Sequence, residues 1–202
     1  MEFSAPPTSK GARQAAEILD AALRCLGRDG YAETSLGRVA EEAGVSKRMV
    51  LYYFESRALL FDRLATSIGE RLIAQLEEAI EGITEPGEVV VAGFGRLWGA
   101  LTADRALMIA FFGVMIESVT DQQLNGTVSR IKDGFRDLIR RQLDNARAQG
   151  RRITVDDEIA VTMVLSGFLG LAIEWLDRGD TPELAAAIEN YQQLIAAMVP
   201  AA

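Results

Sequence analysis

Apolar residues recur at spacings of three and four along nearly the whole chain, and stretches of strict alternation are absent. The first spacing places side chains on one face of a helix, whereas alternation would place them on one face of a strand. The pattern therefore predicts an all-α fold. With 202 residues, of which 49% are hydrophobic and 25% charged, the chain has a globular composition and enough length for a sizeable core.

Glycines and capping residues divide this pattern into predicted helices. The first helix carries an apolar stripe from Ile18 to Leu26 and is expected to stop at Gly30. A short helix follows, capped by Thr34 or Ser35. The further predicted helices cover residues 47–54, 56–80, 88–101, 104–119, 122–149, 155–177 and 181–198, with a turn expected at residues 85–87.

Histidine is absent from the chain, and Cys25 is its one cysteine. Catalysis by Ser-His-Asp or Cys-His, imidazole metal ligands, an intrachain disulfide and a cysteine-rich zinc site are therefore excluded. Cys25 lies beside the apolar stripe of the first helix, where we expect a small buried hydrophobe. The carboxylates of Glu117 and Glu174 have no second group at a diagnostic spacing. We expect no enzyme, no metal and no cofactor.

The segment MEFSAPPTSK at the N-terminus has neither a basic region nor an apolar core of the kind that a secretory signal needs. The longest uncharged apolar stretch, residues 159–173, has 15 residues. A membrane span needs roughly 20. These features predict a cytoplasmic protein without a membrane partner.

The net charge of −8 argues at first sight against a nucleic-acid partner, because phosphate binding needs a basic surface. The charge is unevenly distributed, however. Residues 1–75 contain 10 Lys and Arg against 10 Asp and Glu, whereas residues 76–202 contain 11 against 19. The acidity belongs to the second part, so the first remains compatible with DNA.

Two short predicted helices, joined by a turn that contains Gly44, form a helix-turn-helix pattern. In this motif the second helix enters the major groove and its N-terminal side chains meet base edges. Here Lys47 and Arg48 can donate to guanine, and Met49 can contact a thymine methyl group. Polar residues nearby can hold phosphates or cap helices close to them. The predicted DNA-binding set is Thr34, Ser35, Ser46, Lys47, Arg48, Met49, Tyr52, Tyr53 and Arg57.

Other interpretations of these residues stay open. Lys47 and Arg48 can form a solvated charged face, and Met49 can be ordinary filler. One of Tyr52 and Tyr53 is expected to be partly buried and the other to reach a phosphate, with neither order favoured.

The spacing of these residues resembles the DNA-binding domain of TetR-family transcriptional regulators. The similarity runs over residues 18–60 and rests on these segments: ILDAAL at 18–23, GY at 30–31, TS at 34–35, VA at 39–40, AGVSK at 43–47 and YFxSRxxL at 53–60. It implies an all-α protein with an N-terminal three-helix DNA-binding domain, followed by a larger helical ligand-binding and dimerisation domain.

The chain departs from the family pattern at three positions. Leu51 stands where family members usually carry a tyrosine that contacts phosphate, Arg57 where a lysine is usual, and Arg48 where glycine or alanine is frequent. We accordingly predict a helix-turn-helix domain at residues 1–56 and an effector-binding and dimerisation domain at residues 57–202.

The second domain is rich in aromatic and methionine side chains that can line an apolar effector pocket. Plain core packing is the alternative for each of them. The predicted pocket residues are Phe94, Trp98, Met108, Phe111, Phe112, Met115 and Phe168.

Residues 155–177 are apolar on most faces, and a helix of this kind must be buried on all sides. Its glycines permit close approach of another helix, which indicates a homodimer built as a four-helix intersubunit bundle. Burial within a single subunit is the alternative. The predicted interface residues are Gly167, Gly170, Leu171, Trp175, Leu184, Ile188, Tyr191 and Ile195.

These features together predict a ligand-responsive transcriptional repressor. Its homodimer binds a pseudo-palindromic double-stranded DNA operator and is released by a small apolar effector molecule. The alternative is a TetR-like helical protein without DNA function that acts as a protein- or ligand-binding module, which Leu51 and the acidic total allow.

Overall fold

The computed structural model describes residues 9–85 and 88–200, and every regular element in those two ranges is helical. This confirms the predicted all-α fold. The helices are α1 (Ser9–Glu33), α2 (Leu36–Glu42), α3 (Lys47–Phe54), α4 (Arg57–Ile80), α5 (Phe94–Thr102), α6 (Arg105–Glu117), α7 (Gln122–Ala148), α8 (Asp157–Arg178) and α9 (Pro182–Met198).

Side-chain caps begin several of these helices. The hydroxyls of Ser35, Ser46 and Thr181 each accept a hydrogen bond from the backbone N–H three residues later. The carboxylate of Asp156 accepts from the first backbone N–H groups of α8. These bonds satisfy N–H groups that have no partner inside the helix. They explain why the bounds of α3 agree with the prediction from sequence.

The predicted stop at Gly30 is confirmed, because its φ of 79° and ψ of 172° are non-helical and break the range Ser9–Glu33 three residues before its end. Another predicted boundary needs correction. The predicted helix 88–101 begins instead with a π-helical turn, Val89–Gly93, before α5. Three consecutive β-branched valines in this turn have a low preference for regular α-helix. Positions 86 and 87 of the predicted turn lie outside the described residues.

The described chain divides into two compact units. The head unit contains residues 9–69 and 106–128, and the body unit contains residues 70–85, 88–105 and 129–200. The predicted domain boundary after residue 56 falls within the head unit. The first half of α4 belongs there, where Leu60, Phe61 and Leu64 are fully buried.

The head unit also contains α6, which packs closely on α1. A Cβ atom added to Gly27 would lie 2.7 Å from both the Cβ and the carbonyl oxygen of Ala106. The backbone and the short side chain of Ala106 cannot move out of the way of that atom. Only glycine therefore fits at position 27. The Thr127 hydroxyl donates a hydrogen bond to the Asp62 carboxylate and links the start of α7 to α4. Cys25 is fully buried, as predicted, and burial raises the pKa of its thiol.

In the body unit, α8 and α9 pack directly against each other. The Tyr191 hydroxyl donates a hydrogen bond to the Val164 carbonyl oxygen at 2.5 Å, and the tyrosine ring covers Gly167. The predicted close approach of a helix at Gly167 is therefore real, but the helix that approaches is α9 of the same chain. Leu143, Val161 and Met198 belong to a small hydrophobic core in the same unit.

α8 is longer than the apolar stretch on which the membrane prediction relied. It has 22 residues, and its most apolar part has a mean hydropathy of 1.9, which is enough in length and composition for a membrane span. Only 22% of that part is buried within the chain. One such helix is weak evidence for a membrane protein, because a helix covered by other protein has the same composition.

We predict that Gly167→Ala lowers the free energy of unfolding by about 1–3 kcal/mol. The added methyl group would overlap the Tyr191 ring, which its hydrogen bond to Val164 holds in place. Gly99→Ala is the matched control, because no atom lies within 4 Å of a Cβ added at that helical glycine. It should be neutral or more stable by up to about 1 kcal/mol. Urea unfolding followed by circular dichroism measures both, and equal stability of the two variants would contradict the packing.

Candidate nucleic-acid interface

The exposed face of α3 is fixed by what its opposite face buries. Val50 and Phe54 are buried and pack the helix into the head unit, whose core also contains Val39 and Ala40 of α2. Since the buried side chains lie four residues apart, they occupy one stripe of the helix. The remaining side chains of α3 must point elsewhere.

The side chains of Lys47 and Arg48 lie at the exposed N-terminal turn of α3. Ser46, also exposed, caps this turn through its hydroxyl. Across residues 9–85 and 88–200, neither Lys47 nor Arg48 takes part in an ion pair or a side-chain hydrogen bond. Their charges are available to an external partner.

The two tyrosines of α3 differ in environment. Tyr52 is 77% exposed, whereas Tyr53 is half-buried. Their rings meet edge to face with centroids 5.2 Å apart. Of the pair, Tyr52 is therefore the residue that can reach a phosphate, while Tyr53 supports it by packing.

Two of the predicted DNA contacts are corrected by the structure. Thr34 is completely buried, and its hydroxyl donates to the Gly30 carbonyl oxygen at 2.7 Å. It has no surface left for DNA. Ser35, by contrast, is exposed and caps α2.

Arg57, the second corrected residue, is engaged inside the head unit. Its Nε donates to the Thr34 carbonyl oxygen at 3.1 Å, and its Nη2 donates to the Tyr31 carbonyl oxygen at 2.7 Å. The guanidinium also lies 4.6 Å from the ring centroids of both Tyr31 and Phe61. The guanidinium group thus donates hydrogen bonds from its edges and contacts the two aromatic rings with its faces. Arg57 therefore holds the end of α1 to the start of α4 and is not free for phosphate.

Three other arginines of the head unit, Arg24, Arg28 and Arg38, form a network of ion pairs on α1 and α2. Arg24 and Arg28 pair with Glu42, and Arg28 and Arg38 pair with Asp29. The hydrogen bonds from Arg28 and Arg24 lower the pKa of the Asp29 and Glu42 carboxyls, respectively. These carboxylates stay ionised and neutralise their arginines. The sequence analysis missed this network, whose signal is the arginine spacing of four along α1.

The turn after α3 has an unusual backbone. Glu55 has φ 57° and ψ −42°, and the Ser56 N–H donates to the Phe54 carbonyl oxygen at 2.5 Å. This is a γ-turn with a strained central residue. It reverses the chain within one residue, so that Ser56 can cap α4 by accepting from the Leu59 N–H. No local sequence signal indicates this conformation.

The predicted pocket residues are divided between the two units. In the body unit, Phe94, Trp98 and Phe168 form one aromatic cluster with Tyr191, in which the centroid distances run from 5.4 to 5.9 Å. Burial raises the pKa of the Tyr191 hydroxyl, which stays a hydrogen-bond donor. In the head unit, the predicted residues are the buried Met108, Phe111 and Phe112 and the half-buried Met115.

Most of the predicted dimer residues already have partners within the chain. Trp175 and Leu184 are buried, Gly167 and Tyr191 cover each other, and Ile195 packs on the small body core. Leu171 and Ile188 are half-buried, and Gly170 is the one exposed member of the predicted set. Apart from Gly170, the surfaces that α8 and α9 leave open lie on other residues.

A family comparison matches this head unit. Residues 18–64 fit the model of bacterial regulatory proteins of the tetR family. Residues 18–64 of the chain therefore match a tetR-family regulatory domain. The match covers α2 and α3 together with parts of α1 and α4. It therefore includes Lys47, Arg48 and Tyr52, which all lie on α3.

Known repressors and regulators resemble parts of this chain. It is 24% identical over 100 residues to the HTH-type nicotine-responsive transcriptional repressor HdnoR of Paenarthrobacter nicotinovorans, an alignment that covers 50% of this chain and 52% of that protein. It is 37% identical over 60 residues to the HTH-type transcriptional regulator AcrR of Shigella flexneri, covering 30% and 27%. The alignments thus span about half and about a quarter of these relatives.

The fold similarity extends further than the sequence similarity. The crystal structure of a TetR transcription regulator from Haloarcula marismortui superimposes with a TM-score of 0.81 and 20% identity. It covers 94% of this chain and 100% of that one. The similarity in fold therefore extends beyond residues 18–64 into the body unit.

We predict that Arg57→Ala destabilises this protein by about 2–4 kcal/mol, because it removes two charge-assisted hydrogen bonds and two cation–π contacts. Arg57→Lys should recover only part of that loss, since an ammonium cannot reach both carbonyl groups in one plane. Thermal and urea unfolding measure the effect. If Arg57→Lys were fully stable and Arg57→Ala only weakened DNA binding, Arg57 would be a phosphate contact instead.

Proposed function

We propose that this chain is a ligand-responsive transcriptional repressor that binds a pseudo-palindromic DNA operator as a homodimer and is released by a small apolar effector. The observation that carries the proposal is the exposed N-terminal turn of α3, with two cations that have no partner in the described chain. This helix follows α2 through a tight turn at Gly44, which has φ 66°. The arrangement is that of a helix-turn-helix.

The electrostatics of the head unit support DNA as the partner of α3. The helix sequence KRMVLYYF has two basic residues and no acidic one. Arg24, Arg28 and Arg38 of α1 and α2 are neutralised by their ion pairs with Asp29 and Glu42. Among the described residues, the helix that would enter the major groove therefore keeps both of its positive charges unpaired. Few cations remain for phosphates, so we expect a shallow dependence of affinity on salt.

The exposed faces of α8 and α9 support a second copy of this chain as the dimer partner. Ile159, Met163 and Ile173 are 54%, 45% and 52% exposed, although α8 is strongly apolar. Exposed residues follow one stripe on each helix: Ile159, Met163, Ser166, Gly170 and Ile173 on α8, and Ala187, Asn190, Leu194 and Ala197 on α9. Spacings of three and four of this kind fit helix packing across a twofold axis.

The aromatic cluster of the body unit supports an effector site there. Phe94, Trp98 and Phe168 are half-buried, so part of their apolar surface remains accessible. A relative is named as a nicotine-responsive repressor, which supports a small effector with apolar surface. By linkage, an effector that prefers the conformation with low DNA affinity weakens operator binding, typically through 1–3 kcal/mol of coupling. We place this regulator in the cytoplasm, where such an operator would be accessible.

We predict that the double variant Lys47→Ala with Arg48→Ala loses at least about 100-fold in affinity for its selected operator, because two base contacts are removed. Affinity selection from a random duplex library, followed by gel-shift titration, supplies the operator and the measurement. Arg136→Ala, an exposed arginine of α7 in the body unit, is the control and should bind normally. A folded wild-type dimer that retains no duplex at low salt would favour a binding module without DNA function.

We predict that Met163→Glu with Ile173→Glu converts the dimer to a monomer, since it buries two carboxylates on the proposed twofold interface. Both side chains are exposed within one chain, so the monomer should stay folded. Val119→Glu changes a more exposed apolar residue of the head unit and should leave the dimer intact. Light scattering after size exclusion gives the mass. A double variant that remains dimeric would show that the interface lies on other residues.

A further inference from the structure

The exposed face of α3 is apolar as well as cationic. Ten large hydrophobic side chains are exposed in the described part of the chain, and three of them, Met49, Leu51 and Tyr52, lie close together on this one short helix. Met49 is 41% exposed and Leu51 is 37% exposed. Apolar side chains grouped at an exposed site indicate a partner that offers them apolar surface.

The helix geometry arranges these side chains in a definite order around α3. Arg48 and Tyr52 are four residues apart and share the middle of the exposed face. At 100° per residue, Met49 lies on one edge of that face and Leu51 on the other, with the buried Val50 behind them. The surface therefore has a cationic and hydroxyl-bearing centre with an apolar edge on each side.

A partner of this surface must be anionic, because Lys47 and Arg48 carry unpaired charge and α3 has no acidic residue. It must also offer apolar groups on both sides of the point that Arg48 contacts. In the major groove of DNA, the apolar group is the C5-methyl of thymine, which projects among the hydrogen-bonding edges of the bases. The Leu51 side chain has no hydrogen-bond donor for a phosphate. Its exposed surface therefore fits a thymine methyl group better than the phosphate backbone of DNA.

We propose that Met49 and Leu51 each read a thymine methyl group, so that every operator half-site carries thymines at two positions flanking the base that Arg48 contacts. The proposal rests on the DNA-binding function proposed above. It assigns to Leu51 a direct base contact in place of the phosphate contact that a tyrosine would make there.

Each methyl group should contribute about fourfold to affinity, which corresponds to the burial of one methylene-sized group. This contribution is separable from hydrogen bonding, because deoxyuridine keeps every donor and acceptor of thymidine and lacks only the methyl group. A duplex with deoxyuridine at one position therefore tests one contact.

The experiment starts with the full chain and a random duplex library, from which the bound consensus is selected and sequenced. Each thymidine of the consensus is then replaced singly by deoxyuridine, and the dissociation constant is measured by fluorescence anisotropy. We expect about fourfold weaker binding at two positions in each half-site and no change at the others. Met49→Ala should abolish the discrimination at one of these positions, and Leu51→Ala at the other.

Val119→Ala is the matched control, because it truncates an exposed apolar residue of the head unit outside α3 and should keep both discriminations. Circular dichroism and light scattering check that each variant is folded and dimeric. Equal affinity for every deoxyuridine duplex would overturn the proposal and leave DNA binding intact. Discrimination that persists in both alanine variants would overturn it as well, since other residues would then read the methyl groups.

Two further outcomes also overturn it. A wild-type protein that retains no duplex at all would remove the DNA-binding function and this proposal with it. Alanine variants that lose self-association while their deoxyuridine discrimination stays unchanged would show that the apolar edges of α3 contact protein.

Discussion

The contacts of Arg57 hold the helix-turn-helix together at its two ends. The segment that contains α2 and α3 lies between Thr34 and Arg57, and the guanidinium bonds to the Thr34 and Tyr31 carbonyl groups. Because the same side chain stacks on Tyr31 and Phe61, the end of α1 and the start of α4 are joined by both polar and aromatic contacts. The strained turn at Glu55 lies just before this junction. The stability of the closed segment offsets the cost of that strain.

The distribution of ion pairs explains how an acidic chain can present a basic helix. The head unit has about as many basic as acidic residues, and two of the acidic ones, Asp29 and Glu42, lie next to arginines of α1 and α2. Glu42 and Asp29 each contact two arginines, and their lowered pKa values keep them charged. Lys47 and Arg48 have no such neighbour on α3. Local pairing, and not the total charge, therefore decides which surface is electropositive.

The parts of the fold that the sequence predicts well are those governed by local chemistry. Ser46 and Ser56 cap α3 and α4 because hydroxyl groups satisfy free N–H groups wherever the chain turns into a helix. The exposed N-terminal turn of α3 follows from the same local rules. The role of Arg57 does not follow from them, since it depends on carbonyl groups that tertiary packing brings within reach. The Thr34 hydroxyl bonds locally, to the Gly30 carbonyl oxygen four residues earlier. A cation after a turn has the same sequence pattern whether it meets phosphate or backbone.

The packing of α8 and α9 also depends on tertiary contacts that the sequence does not specify. Glycine at position 167 indicates that a helix comes close, but a pattern in one chain does not say whether that helix belongs to the same subunit. The Tyr191 ring of the same chain occupies the space beside Gly167. The residues of α9 that include Tyr191 and Leu184 therefore pack within the subunit. The apolar surface that remains, on Ile159, Met163 and Ile173, lies on a neighbouring stripe of α8. A helix that is apolar on most faces can thus serve two partners, its own neighbour on one side and a second subunit on the other.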